Sequence, residues 1–121
     1  MSVGVWIAVG LLGGIGALSR FFVDGLVAAR AGRDFPIGTL VVNLSGALLL
    51  GFLVGLGFTG TRLVLAGTAT LGSYTTFSTW MLETQRLVED GELVLAGANI
   101  VISLVLGVGA AALGRLIGAP L

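Results

Sequence analysis

The sequence predicts an all-α integral membrane protein with four transmembrane helices, the third of them broken near mid-membrane. Three observations carry that prediction. The 121-residue chain is 56% hydrophobic and only 10% charged. Its mean hydropathy of +1.11 lies outside the range of soluble domains. Its apolar residues fall into four blocks, about 3–29, 38–58, 62–88 and 93–117, and a tilted span needs about 17–25 residues. Finally, the third block carries Gly72 and then five Ser or Thr residues between Ser73 and Thr79, where an uninterrupted apolar helix is otherwise expected. Polar chain at that depth survives only against protein or a water-filled cavity, because an unsatisfied backbone group in hydrocarbon costs several kcal/mol.

The connections, about 30–36, 59–61 and 89–92, are too short to hold a soluble domain, so the whole chain forms one four-span membrane domain and its function is transmembrane. Met1 to Leu18 lacks a cationic start and is read as a permanent span rather than a signal peptide. Arg20 and Asp24 are four apart and share a helix face, with Arg near the span end where it can snorkel. Arg30, Arg33 and Asp34 mark an aqueous loop, and Phe35-Pro36 precedes the second helix, with Thr39 placed to cap it. Asn43 follows one turn inside, where a buried amide needs a partner.

The chain has 21 glycines. Small residues four apart let helix backbones approach in lipid. The stripes are Gly10 and Gly14, with Gly13 and Ala17 beside them, in the first span; Asn43, Ala47, Gly51 and Gly55 in the second; and Asn99, Ser103, Gly107 and Ala111 in the fourth.

The chemistry available is narrow. There is no Cys and no His, which removes thiol catalysis, disulfides and most zinc, haem and iron–sulfur sites. Six Arg balance six acidic residues with no basic patch, so nucleic-acid binding is not expected. An enzyme is not expected either, since Ser78 has no His or Lys to act as its base. Arg62 and Arg115 flank one side of the membrane and Arg30, Arg33 and Arg86 the other. This near-balance gives no orientation bias and permits an antiparallel dimer whose two-fold axis lies in the membrane plane.

At this point four motifs resemble the Fluc/CrcB family of small dual-topology fluoride channels: Gly-Gly-Ile-Gly-Ala-Leu-Ser-Arg-Phe at 13–21, Gly-Thr-Leu-Val-Val-Asn-Leu-Ser-Gly at 38–46, Thr-Thr-Phe-Ser-Thr-Trp at 75–80 with Glu83, and Asn99 with Ser103. The resemblance covers nearly the whole chain. It implies an antiparallel dual-topology homodimer in the cytoplasmic membrane, two pores at the subunit interface that let fluoride leave the cell passively, and a structural sodium ion between the two helix breaks. By residue, it implies a pore lined by Asn43, Phe77, Ser78, Thr79, Trp80, Asn99 and Ser103. Arg20 and Glu83 then lie at the pore mouths, and the backbone carbonyls of Gly72 and Thr75 hold sodium. Two positions depart from the family pattern: Ser73-Tyr74 replaces a second Gly followed by Phe or Leu, and Trp80 replaces the second Phe.

These residue types suit a small, strongly hydrated anion, which needs neutral donors that replace water without holding the ion too tightly. Asn43 supplies an amide N–H, Ser78 and Thr79 supply hydroxyls, and the ring edge of Phe77 carries positive quadrupole charge. Two alternatives remain open in the sequence. A small proton-coupled drug exporter of this size needs a carboxylate buried in a span, and the first span has none before Asp24. A partner subunit of a heterodimeric fluoride channel is the other.

Overall fold

The computed structural model describes all 121 residues and contains no strand. Helix α1 (Val3–Ala31) starts where the Ser2 hydroxyl accepts the Val5 N–H at 3.2 Å and stops at Gly32, whose φ of 80° suits glycine. Helix α2 (Ile37–Gly55) is introduced by Pro36 with no side-chain cap. Thr39 therefore does not cap it: the ring of Pro36 already fixes a φ near the helical value, the helix begins two residues before Thr39, and Thr39 is buried inside its first turn. The helix ends at Gly55 rather than at the expected residue 58, with Gly57 turning the chain at φ 87°. Helix α6 (Leu93–Gly118) closes the fold.

Helices α1, α2 and α6 are each long and apolar enough to cross a membrane. The expected third span is built from pieces. It opens with α3 (Gly60–Leu63), continues as a π-helical segment (Val64–Leu71) and one turn of α4 (Gly72–Tyr74), is interrupted at 75–77, and resumes as α5 (Ser78–Glu89). The break forms because Thr75 takes extended geometry, φ −78° and ψ 161°, while its N–H and hydroxyl both donate to the Leu71 carbonyl, at 2.9 and 3.0 Å. A Thr hydroxyl that satisfies the preceding turn in this way competes with continued helix. The π winding has no counterpart in the reading of the sequence. Within it the Thr70 hydroxyl donates to the Leu65 carbonyl at 2.7 Å, and such windings mark functional segments often enough to be noted.

Packing is close where glycine replaces side chains. Helix α2 lies most extensively against α6, and α1 against the π segment and α4. A Cβ on Gly51 would overlap the Ala111 carbonyl, one on Gly55 the Arg115 carbonyl, one on Gly114 the Leu48 carbonyl and one on Gly118 lies 2.5 Å from the Phe52 carbonyl. On α1, a Cβ on Gly16 would overlap the Thr70 carbonyl, and one on Gly13 would lie 3.2 Å from the Ser73 hydroxyl. The stripe expected from Asn43 to Gly55 thus forms a contact at its glycine end. Gly10, Gly14 and Gly107 meet no neighbour within 4 Å. The α6 side of the seam runs through Ala111, Gly114 and Gly118, so only the last residue of the expected Asn99-to-Ala111 stripe takes part in these close contacts with α2, because helix crossing geometry and not spacing selects the contacting row.

Candidate functional site

The break is held by one side chain from α2. Asn43 Oδ1 accepts the Thr76 N–H at 2.8 Å, and Asn43 Nδ2 donates to the Thr76 carbonyl at 2.9 Å. Both main-chain groups of the residue with no helical partners are thereby satisfied, as burial requires. The Thr76 hydroxyl in turn accepts the Thr79 N–H at 3.2 Å. It serves one of the first-turn donors of α5, and the regular ladder begins with Met81 N–H to Phe77 O at 3.0 Å. On the other side of the break, the Tyr74 hydroxyl lies 2.9 Å from the Ser45 hydroxyl, which itself donates to the Val42 carbonyl at 3.1 Å. Tyr74, one of the departures noted above, is therefore a second tie between the broken span and α2.

Two grooves flank Thr76. One, of about 450 Å³, is lined by Asn43, Gly72, Thr75, Thr76, Phe77 and Trp80. The other, of about 420 Å³, is lined by Arg20, Asp24, Thr39, Thr76 and Thr79 among others. Arg20 and Asp24 thus do share a face. A third cavity of about 390 Å³ includes Asp24, Arg33, Asp34, Glu83 and Arg86 in its wall. Asp24 belongs to the walls of both the second groove and this charged cavity. Glu83 Oε1 is buried there without a hydrogen-bond partner.

The expected site residues divide accordingly. Asn43, Phe77, Trp80, Gly72 and Thr75 meet in the first groove, and Arg20 with Thr79 in the second. Phe77 is 70% exposed and Ser78 is exposed beside it. Asn99 sits elsewhere: it is 1% exposed, with its amide donating to the Thr84 hydroxyl at 2.8 Å and to the Trp80 carbonyl at 3.5 Å. Ser103 lies one turn further along α6, half-buried and outside all three cavities. Thr84 was not singled out from the sequence, and Thr76 and Tyr74, though within the quoted stretches, were given no site role there. For Thr84 a signal existed, since it lies four residues after Trp80 on the same face, and its hydroxyl donates to the Trp80 carbonyl at 2.9 Å.

Chemically, the first groove offers an aromatic edge, a helix-opening turn and unwound main chain on one open surface, and the second offers a cation and hydroxyls. Comparison with known proteins places this arrangement in context. Residues 7–115 match the family described as CrcB-like protein, Camphor Resistance (CrcB). The chain is 62% identical over 114 residues to a protein of Mycolicibacterium paratuberculosis named Fluoride-specific ion channel FluC 2, covering 94% of this chain and 93% of that one. A Mycobacterium bovis protein of the same name is 59% identical over 115 residues, 95% of this chain and 91% of its own. A Fluoride-specific ion channel FluC of Syntrophotalea carbinolica is 46% identical over 111 residues, 88% of this chain and 90% of its own.

Proposed function

The chain belongs to the CrcB family, and we infer from this that it is a fluoride-specific ion channel. It is a multi-pass membrane protein, and we place it in the cytoplasmic membrane as an antiparallel homodimer. The observation that carries the reading is the exposure of the break. Phe77, Ser78 and Gly72 lie open on a broken span, where lipid contact with hydroxyls and unwound backbone would cost several kcal/mol. A second copy, inverted as the balanced Arg distribution permits, covers the break and encloses the pathway. Fluoride then passes the Phe77 ring edge and the Ser78 and Thr79 hydroxyls, neutral donors that exchange with its hydration shell. Asn43 takes part by holding Thr76, with one amide proton left for the groove.

The carbonyls of Gly72 and Thr75 suit a small hard cation. The N–H groups that would cap Gly72 are turned elsewhere, Thr75 to Leu71 O and Thr76 to Asn43 Oδ1, so the Gly72 carbonyl has no helical partner. Carbonyls at the C-terminal end of a half-helix and in the unwound chain after it hold sodium in other broken-helix proteins. We propose a structural sodium ion there, shared between the two breaks, which would neutralise partial negative charge at mid-membrane. Gly72 is helical at φ −62°, and a Cβ there would meet only the Gly67 carbonyl, at 3.9 Å. Any demand for glycine at this position comes from the partner rather than from the chain's own backbone.

Transport is passive. A negative-inside potential drives an anion outward by about 2.3 kcal/mol per 100 mV, and the sequence offers no nucleotide motif that would supply energy. Purified chain in fluoride-loaded liposomes, clamped at a potential with equal pH on both sides, releases fluoride. Release that needs a pH gradient or ATP overturns the channel reading. Terminal tags accessible from both faces in comparable amounts support the inverted dimer, and a single orientation removes it.

A further inference from the structure

Trp80 stands three residues after Phe77, and its indole offers a single hydrogen-bond donor. That donor is already engaged. Nε1–H donates to the main-chain carbonyl of Asn99 at 3.0 Å, in a site where Trp80 is 9% exposed. The bond is closed by a ring of others: Asn99 Nδ2 donates to the Thr84 hydroxyl at 2.8 Å, and that hydroxyl donates to the Trp80 carbonyl at 2.9 Å. The indole is thus fixed at two points, its own Cβ on α5 and its N–H on α6, and cannot turn about χ1 or χ2 without leaving a buried donor and its acceptor unpaired. The ring held in this way packs edge-to-face on Phe77, with centroids 5.6 Å apart and planes at 81°. Phe77 is otherwise largely free, at 70% exposure.

We propose that Trp80 is a positioning residue for Phe77: the Asn99 carbonyl orients the indole, and the indole orients the Phe77 ring toward the ion, with no hydrogen bond from the indole to fluoride. A phenylalanine at position 80 has no N–H with which to make this tie, so the tryptophan gives this chain an orienting device that the more usual residue lacks. The same network docks the second half of the broken span onto α6. The proposal rests on the reading that Phe77 contacts the permeating ion.

The test uses the assembled channel and three measurements. In the first, channel labelled with ¹⁵N-indole is titrated with sodium fluoride replacing sodium chloride at constant sodium, and the two indole signals are assigned with Trp6→Phe. The Trp80 Nε1–H resonance stays in place. A saturable fluoride-dependent shift overturns the proposal, because it makes the indole a direct donor. In the second, Trp80→3-benzothienylalanine keeps the ring shape and removes the N–H. Fluoride efflux per assembled dimer falls about three- to tenfold, the range expected when one aromatic pair loses its orientation. Parental efflux shows that the tie orients nothing and overturns the proposal. In the third, the same substitution is combined with Phe77→Ile, and the double variant is no slower than Phe77→Ile alone. Losses that multiply mean that Trp80 acts on the ion independently, and also overturn it. Parental efflux from Phe77→Ile by itself instead removes Phe77 from the pathway, which defeats the underlying reading whatever the indole does.

Discussion

Along the α2–α6 seam four glycines bring backbone onto backbone, whereas at the 75–77 break the backbone is reached by a side chain from the neighbouring helix, Asn43 of α2. The seam has nothing polar to satisfy, since both helices keep their own ladders, and its stability is close dispersion contact between surfaces without side chains. At the break the ladder is interrupted, and Asn43 and the Thr76 hydroxyl replace what it lost, while Tyr74 ties the span to Ser45 on α2. The seam tolerates no added atoms and the break tolerates no lost donors. That contrast explains how a small protein can keep an open, polar interruption in one of its helices: the rigidity lies in the seam, and the break needs only enough hydrogen bonds to keep one shape.

Substitutions separate the two regions, beginning with the seam. Gly114→Val puts atoms onto the Leu48 carbonyl and within 2.8 Å of the Phe52 nitrogen, with backbone that cannot yield. It is expected to cost about 3 kcal/mol or more and to remove folded protein, seen as loss of the monodisperse peak in size-exclusion chromatography. Gly107→Val, on the same helix in open space, leaves that peak intact. Equal behaviour of the two variants would show that the seam is not where the fold is held.

Asn43→Leu attacks the break instead. It leaves the Thr76 N–H and carbonyl unpaired, each costing about 1–3 kcal/mol, so thermal stability drops and fluoride efflux falls with it. Asn43→Asp keeps an acceptor for the N–H and loses the donor to the carbonyl, and lies between Leu and the parent. If both variants conduct at the parental rate, the clamp is dispensable. The smallest effect is expected from Tyr74→Phe. Ser45 keeps its bond to the Val42 carbonyl, so only one partly buried hydrogen bond is lost, at about 1 kcal/mol or less. The variant should melt a few degrees lower with unchanged efflux, and a large loss of efflux would make Tyr74 part of the pathway.

Much of this architecture was legible in the chain. The four apolar blocks, the interruption after Gly72 and the polar cluster that follows are local features, because hydropathy and hydroxyl content act over one segment at a time. The motifs carried the family for the same reason. What the sequence left open was the destination of each polar group. Trp80 offers one N–H, and nothing near it in the chain says whether that proton meets an anion or a carbonyl. Its partner Asn99 is 19 residues away, on another helix. Asn43 and Thr76 are 33 residues apart. Thr39 looked like a cap by its position after Pro36-Ile37-Gly38, and was buried because the proline had already started the helix.

The sequence by itself therefore determined an all-α chain with apolar helices long enough to cross a membrane and an interrupted helix between the second and the last of them, and it placed the interruption among residues 72–79. The tertiary structure alone decided which glycines carry the packing and which side chains hold the break. Glycines four apart look alike in a sequence, yet only the row on the crossing line meets a neighbour: Gly114 and Gly118 do, and Gly107 does not. A hydrogen bond depends on angstrom-scale distance between groups far apart in the chain, and that distance exists only once the helices have crossed.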